Sequence, residues 1–338
     1  MKNLSDLEKY FSEHKIPKFR LKQLVHAVCQ QGIIDYDQIQ VLPKPLREKL
    51  KIDLPILSIK PIFHVVSKNK DTEKVLFEIE GGLKIEAVLM KYNDGRNSVC
   101  ISSQAGCQMG CKFCATGTMR FGRNLTNEEI FDQALYFTHL LAPKNERISN
   151  IVYMGMGEPF MNYDNVLASA YQLNHKDYLN LGARRITIST SGVVDGINRF
   201  IDEPVQFNLA LSLHAPTQEL REKIMPIARR WNIETLLDSI KNYLHKTKRR
   251  VSYEYVMLND INDTPEVAQQ LGKLAQGTLT HINLIPYNAT DIAGISGSQR
   301  EKIFKFQKIL QDYGVNATVR STMGEDIAAA CGQLANKN

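Results

Sequence analysis

Cys107, Cys111 and Cys114 stand in the run Gly106-Cys107-Gln108-Met109-Gly110-Cys111-Lys112-Phe113-Cys114, a Cys-x3-Cys-x2-Cys spacing. Three of the six cysteines thus crowd into eight residues, with Gly106 and Gly110 beside them. Four thiolates would close the shell of a zinc or iron–sulfur site. Three in one tight loop leave a fourth position open. On an iron–sulfur cube that is one iron without a protein ligand, free to hold a substrate or cofactor. A zinc ion completed by a distant histidine could use the same three thiolates. Three buried thiols acting as small hydrophobes would need no metal, but crowding of this kind favours a ligand loop.

Other residue groups could serve the same chemistry. In Met154-Gly155-Met156-Gly157-Glu158-Pro159, glycines allow backbone to approach a ligand closely, and the Glu158 carboxylate can accept hydrogen bonds from an ammonium group. An ordinary tight turn would read the same way. Ser189-Thr190-Ser191-Gly192, Ser212-Leu213-His214-Ala215-Pro216 and Asn283-Leu284-Ile285-Pro286-Tyr287-Asn288 offer polar groups suited to ribose hydroxyls, adenine edges or a carboxylate. A lone histidine is more often structural, but His214 is expected at a strand end and not on an apolar face. Cys100 lies just before the cysteine loop and Cys331 near the end of the chain. Cysteines distant in sequence can meet at an active site, one as nucleophile and one as resolver. Cys29 falls on the apolar face of an expected helix and reads as a core thiol. Glu86, in Ile85-Glu86-Ala87-Val88, is a lone carboxylate in an apolar strand, compatible with the solvent face of a half-buried one.

The elements that must position these residues are legible from periodicity. Ser5-Asp6-Leu7-Glu8 has capping-box form, and Leu21, Leu24, Val25 and Val28 recur with helical period. Residues 1–55 therefore read as a small helical accessory domain. Strands are expected over 59–66 and 74–80, with Gly81-Gly82 turning into a third over 83–92. A short strand over 99–102 leads into the cysteine loop. Residues 56–97 thus form a short β extension that carries Glu86. Beyond the loop, Thr126-Asn127-Glu128-Glu129 caps a helix running to about residue 141. Strands over 148–154, 185–189, 205–213, 251–256, 281–285 and 318–319 alternate with helical stretches such as 233–246, 265–275 and 298–313. Alternation of this kind argues for parallel βαβ units. About six units follow, which predicts an α/β fold with an open or partial (βα)6-type barrel over 98–338. Ligands of such sheets sit at the carboxyl ends of the strands. The cysteine loop, the 155–158 turn, Ser189, the 212–214 segment and Asn288 all fall there.

At 338 residues the chain can bury a large core. It shows no long apolar run at its amino end and no stretch long enough to span a membrane. Reduced, metal-binding thiols suit the cytoplasm. The net charge of +6 is modest but clustered, most densely at Lys246, Lys248, Arg249 and Arg250. Such clusters can neutralise phosphates or simply face solvent.

Taken together, these motifs resemble the radical S-adenosylmethionine (SAM) superfamily, in which the open iron of a 4Fe-4S cluster chelates SAM. Phe113 before the last cysteine matches that superfamily, and 155–159 resembles its Gly-Gly-Glu-Pro segment, with Met156 in place of a glycine. Nearly the whole chain is similar to the radical SAM methyltransferases that act on adenine in 23S ribosomal RNA. Cys100-Ile101-Ser102-Ser103-Gln104, Arg123-Asn124-Leu125-Thr126, 212–216, 254–258, Asn262-Asp263 and 330–334 carry that resemblance. It implies one 4Fe-4S cluster on Cys107, Cys111 and Cys114. It implies SAM contacts at Gly157, Glu158, Ser189, Ser212, Leu213, His214 and Asn288. One SAM would methylate Cys331, and a second would give a 5′-deoxyadenosyl radical that takes a hydrogen atom from that methyl. The resulting methylene would add to an adenine ring carbon. Glu86 would be the proton acceptor, and Cys100 would release the base through a transient disulfide with Cys331. The chemistry is coherent, because adenine C2 and C8 are not nucleophilic and a carbon radical can reach them.

The resemblance also implies 23S rRNA as substrate, some transfer RNAs in addition, an electron donor such as flavodoxin or ferredoxin, and a cytoplasmic monomer. Segments 157–159, 212–216 and Ile285-Pro286 look like the enzymes that methylate C2. Met90-Lys91-Tyr92 looks like those that methylate C8 and confer antibiotic resistance. Residues 289–297 depart from the aromatic, proline-rich segment of the C2 enzymes. Two other readings share some of these features: a different radical SAM enzyme, and a non-catalytic RNA-binding module folded around zinc.

Overall fold

A computed structural model describes residues 1–290 and 292–336. Asp291, inside the divergent 289–297 segment, and residues 337–338, at the end of the expected barrel, lie outside the described residues.

Three helices come first: α1 (Leu4–Glu13), α2 (Lys18–Cys29) and α3 (Lys44–Asp53). Leu21, Leu24, Val25, Val28 and Cys29 are buried, as the helical period requires. The cap of α1 is Asn3 and not Ser5. The Asn3 side chain accepts from the Asp6 N–H at 3.0 Å. Just before it, the Met1 ammonium pairs with buried Asp132. Asn serves as well as Ser in the capping role.

One mixed sheet follows. Its antiparallel part is β1 (Lys60–Val66), β2 (Thr72–Glu78) and β3 (Lys84–Lys91), with Gly81 and Gly82 at φ +84° and +71° making the turn between β2 and β3. The strand β4 (Asn97–Cys100) runs antiparallel to β3 and parallel to β7 (Asn150–Tyr153), so it joins the two halves. A small ribbon of β5 (Gln104–Ala105) and β6 (Arg123–Asn124) brackets the cysteine loop. Beyond β7 the sheet continues through β8 (Ile186–Thr190), β9 (Asn208–Ser212), β10 (Val251–Met257), β11 (Thr280–Pro286) and β12 (Ala317–Val319), each parallel to the last. The order is β1-β2-β3-β4-β7-β8-β9-β10-β11-β12, a ten-stranded sheet. No pairing between its two edges is present among the described residues.

Helices connect the parallel strands: α4 (Asn127–Leu141), α5 (Tyr163–Asn174), α6 (Val194–Ile201), α7 (Gln218–Ile224), α8 (Ile233–Thr247), α9 (Pro265–Ala275) and α10 (Arg300–Asp312). The box at the start of α4 forms as its sequence predicts, with the Thr126 and Glu129 side chains each bonded to the other's backbone N–H. The fold is therefore the expected α/β arrangement. The front helices share its core. Asp132 of α4 also accepts from Ser58 N–H and Oγ at 2.6 and 2.8 Å, and His139 Nδ1 lies 2.8 Å from Gly32 O.

Several strand limits differ from the sequence reading. The 99–102 strand ends at Cys100, because Ser102 N–H turns aside to Gln133 Oε1 at 2.8 Å. The 205–213 strand begins only at Asn208. No described helix is long and apolar enough to cross a membrane.

Candidate active site

The cysteine loop leaves β5 and is clamped against the ends of β9 and β10. Lys112 N–H bonds Ile224 O at 2.9 Å, and the Phe113 ring meets His214 edge-on at 4.8 Å between centroids. Phe113, Ala215, Ile224, Met225, Val256 and Leu258 form an apolar cluster around Cys111 and Cys114. Such a shell keeps water from thiolates and their ligand. The three thiols are half-buried and feel one another. Burial pushes Cys107 up to about 12, with Glu158 and Cys114 adding. Burial, Cys114 and Cys107 raise Cys111 well above its ordinary value. Among the described residues no three such side chains gather around a single metal ion.

The 155–159 segment turns directly beneath. Gly157 has φ +100°, and a Cβ there would lie 2.5 Å from Gln104 Cβ, so only glycine fits. Met156 needs no such freedom. Its side chain is buried, its N–H bonds Ser102 Oγ at 2.8 Å, and its sulfur lies 3.4 Å from Glu86 N. Glu158 is buried, accepting from Phe160 N–H at 3.1 Å and Ser191 N–H at 2.7 Å. Burial raises its pKa and these bonds oppose the rise. The Ser191 and Thr190 side chains oppose it as well.

Ser189 sits near the end of β8 and Ser212 ends β9. Leu213 is buried, and its N–H is taken by Glu254 O at 3.1 Å. His214 has φ +56°, and its Nδ1 accepts from Val256 N–H at 3.0 Å. Burial and the nearby Arg221 drop its pKa to about 3, so the ring is neutral with its proton on Nε2. Asn262 fixes this turn by donating to His214 O at 2.9 Å and Val256 O at 2.7 Å.

Arg221, on α7, carries no sequence signal of function, yet it is fully buried among these groups. Its Nη2 donates to Ser191 O and its Nε to Leu213 O at 3.3 Å. Burial lowers its pKa to about 10, and Cys111 and Glu158 oppose that. Its Nη1 and the Ser191 hydroxyl have no partner among the described residues. Buried unpaired donors beside a thiol loop make a pocket ready for anionic groups. A thiolate-bound cluster and the carboxylate of SAM are such groups, so the residues present fit both. Cys107, Cys111 and Cys114 would hold the cluster, with Glu158 on the SAM ammonium.

The C-terminal segment closes over this site. Ala115 N–H bonds Gly332 O at 2.8 Å, and Thr116 Oγ1 donates to Leu334 O at 2.6 Å. Asn288 Nδ2 donates to Cys331 O at 3.0 Å, so its amide nitrogen serves the segment here. Cys331 is exposed, and its backbone is held by Asn288 on one side and, through Gly332, by the cysteine loop on the other. Desolvation by the surrounding protein raises its pKa, Cys114 and Glu254 add, and Arg320 opposes. Cys100, half-buried at the end of β4, is pushed up to about 12 by burial and by Cys331. The structure thus brings Cys100, Cys331 and Cys114 into one neighbourhood, all as free thiols.

Glu86 is a correction to the half-buried reading. It is fully buried, and the face expected to meet solvent is covered by the C-terminal segment. Oε2 accepts from Ala335 and Asn336 N–H at 2.8 and 3.0 Å, and Lys74 Nζ stands 2.9 Å from Oε1. At the other end of the parallel strands, Arg184, Lys248, Arg249 and Arg250 line a cavity of about 500 Å³, and none of the site residues just described reaches it.

The chain matches the family model of the radical SAM superfamily over residues 101–271. It is 42% identical over 335 residues to a probable dual-specificity RNA methyltransferase RlmN of Carboxydothermus hydrogenoformans, covering 99% of this chain and 97% of that one. It is 41% identical to the ribosomal RNA large subunit methyltransferase N of Nitrosopumilus maritimus, covering 97% and 95%. A radical SAM methyltransferase from Sphaerobacter thermophilus superposes with a TM-score of 0.95 at 42% identity, over 98% of this chain and 97% of that one. The fold and these relatives make the chain a radical SAM enzyme that transfers methyl groups. Within that superfamily, the chain belongs to the RlmN dual-specificity RNA methyltransferases.

Proposed function

We propose that this enzyme methylates C2 of an adenine in 23S rRNA, and of an anticodon-loop adenine in some transfer RNAs, with Cys331 as the methyl carrier. The observation that carries the reading is the seating of Cys331 against the cysteine loop, with Cys100 beside it. A methyl carrier must face the radical source on one side and its resolving thiol on the other.

When bound, the 4Fe-4S cluster and SAM would supply a 5′-deoxyadenosyl radical. Gly157 lets the backbone approach that cofactor, Glu158 takes its ammonium, and His214 and the strand-end hydroxyls of Ser189 and Ser212 would contact the rest of it. Leu213 has its amide spent on Glu254, so its part is apolar contact. Asn288 keeps its side-chain oxygen for the ligand while its nitrogen holds Cys331 O. Cys331 carries the methyl as a thioether. Glu86 takes the proton displaced from the adenine carbon. The Cys100 thiolate attacks the Cys331 sulfur: an S–S bond forms as the S–C bond breaks, the bonding pair stays on the methylene carbon, and that carbon takes a proton from solvent as the methylated base leaves. A flavodoxin or ferredoxin in the cytoplasm would return the electrons, and the enzyme would act as a monomer. Residues 1–55 would form the RNA-binding domain, 56–97 the extension and 98–338 the catalytic domain.

Met90-Lys91-Tyr92 is the segment that looks like the C8 enzymes. Lys91 Nζ is committed to Glu73 at 2.5 Å across the sheet, which gives that motif a structural role. The test is RNA methylated by anaerobically reconstituted enzyme, digested to nucleosides and compared with 2-methyl- and 8-methyladenosine by mass spectrometry. The 2-methyl product is expected, and none from Cys331→Ala. An 8-methyl product, or normal turnover by Cys331→Ala, refutes the corresponding part.

A further inference from the structure

Lys74 is 4% exposed and Glu86 is 0% exposed, a buried pair on neighbouring strands. Lys74 lies opposite Val88 in the β2–β3 register, so Glu86 is its diagonal neighbour on the same face. Nothing in the assigned chemistry requires the lysine. A buried ion pair seldom stabilises a fold better than apolar residues of the same shape, so its presence calls for a different reason.

The bonds that the pair makes supply one. Lys74 Nζ donates to Ala328 O at 3.3 Å, three residues before Cys331. Glu86 Oε2 accepts the N–H groups of Ala335 and Asn336, just after it. We propose that Lys74 is a positioning residue, and that the Lys74–Glu86 pair is a clasp gripping both flanks of the Cys331 segment so that its sulfur faces the cysteine loop and Cys100. Neighbouring contacts extend the grip. Lys68 N–H bonds Asp326 Oδ2 at 2.9 Å, and Asn336 Nδ2 donates to Lys84 O at 2.8 Å. Geometry also divides labour within the carboxylate. Oε2 is occupied by two amides. Oε1 faces the Lys74 ammonium. The meaning of the grip for methyl transfer rests on Cys331 being the carrier, whereas the grip itself does not.

The test uses Lys74→Met and Ala335→Pro in the full-length, cluster-loaded enzyme. The second variant deletes one tail amide and leaves the ion pair intact, so it decides the matter alone if Lys74→Met does not fold. Amide hydrogen exchange over 328–336 is expected to quicken about tenfold or more in both, with α4 and β7 unchanged, as for loss of about 1.4 kcal/mol of anchoring. Cys331 methylation and kcat on RNA fall with it, while KM for SAM holds. Unchanged exchange in both variants, or faster exchange with full kcat, overturns the clasp. If the unaltered enzyme never methylates Cys331, the proposed function fails, and the exchange data still decide whether the clasp exists.

Discussion

Arg221→Met removes a cation whose place could not be read from its neighbours in sequence. The side chain is fully buried and ties the turn after β8 to the turn after β9 through Ser191 O and Leu213 O. Methionine keeps most of the apolar stem but strands both carbonyls, at about 1–3 kcal/mol each. Against this, one already unpaired N–H and a buried charge disappear, recovering roughly one such contribution. The net loss for the metal-free protein is about 1–3 kcal/mol, readable as a lower urea midpoint. The loaded protein loses more. Arg221 is the cation in the field of Cys111 and Glu158, and without it their negative charge stands unopposed in an apolar shell. A further loss of roughly 1.4–2.8 kcal/mol corresponds to about ten- to hundredfold weaker retention of the cluster. Iron and sulfide retained under chelator challenge, set beside urea unfolding of the metal-free protein, separates the two effects. A lowered midpoint with unchanged retention would reduce Arg221 to a tie between two turns. Unchanged values in both assays would refute the whole electrostatic reasoning.

Three further outcomes are expected. Glu73 is held down to about 2, from an ordinary value near 4.5, first by the His64 hydrogen bond and then by Lys91. A depressed folded pKa gives stability that is present above the unfolded value and lost as pH falls from about 4.5 to 2, here about 1–3 kcal/mol after solvent screening. Glu73→Gln should be less stable by that amount at pH 7, with the gap closing across the same window in acid unfolding curves. Gly157→Ala forces a Cβ to 2.5 Å from Gln104 Cβ at φ +100°. It should lose about 2–4 kcal/mol of stability in thermal unfolding and lose SAM binding by calorimetry. Cys100→Ala has no thiol to break the bond between Cys331 and the base, so a denaturing gel should show protein covalently joined to RNA. Free methylated RNA at the normal rate from that variant would remove Cys100 from the mechanism.

Where a rule is local, the sequence was sufficient. The Thr126–Glu129 box, the Gly81-Gly82 turn and the buried face of α2 all form where period and cap residues put them. The carboxyl ends of the strands after the cysteine loop were legible too, because alternation of strands and helices places them whatever the tertiary detail. That is why residue order alone groups the cysteine loop, the 155–159 turn and His214. Glu86 shows where local rules stop. A two-residue period says which face a side chain takes, but not that a segment 249 residues further on will cover that face. Arg221 was invisible for the same reason, since the carbonyls it ties belong to two separate turns, and the reach of Lys74 to Ala328 O spans 254 residues. At α1 two neighbouring residues, Asn3 and Ser5, can each cap, and the helix takes Asn3.

Transfer through Cys331 can be followed directly with SAM whose methyl group carries only deuterium. Abstraction from the Cys331 methyl removes one deuterium, and release from the protein adds one hydrogen from solvent. The methyladenosine isolated from RNA should then carry two deuteriums, as read by mass spectrometry. A methyl group that arrives with all three would show direct displacement onto the base and would contradict the role given to Cys331.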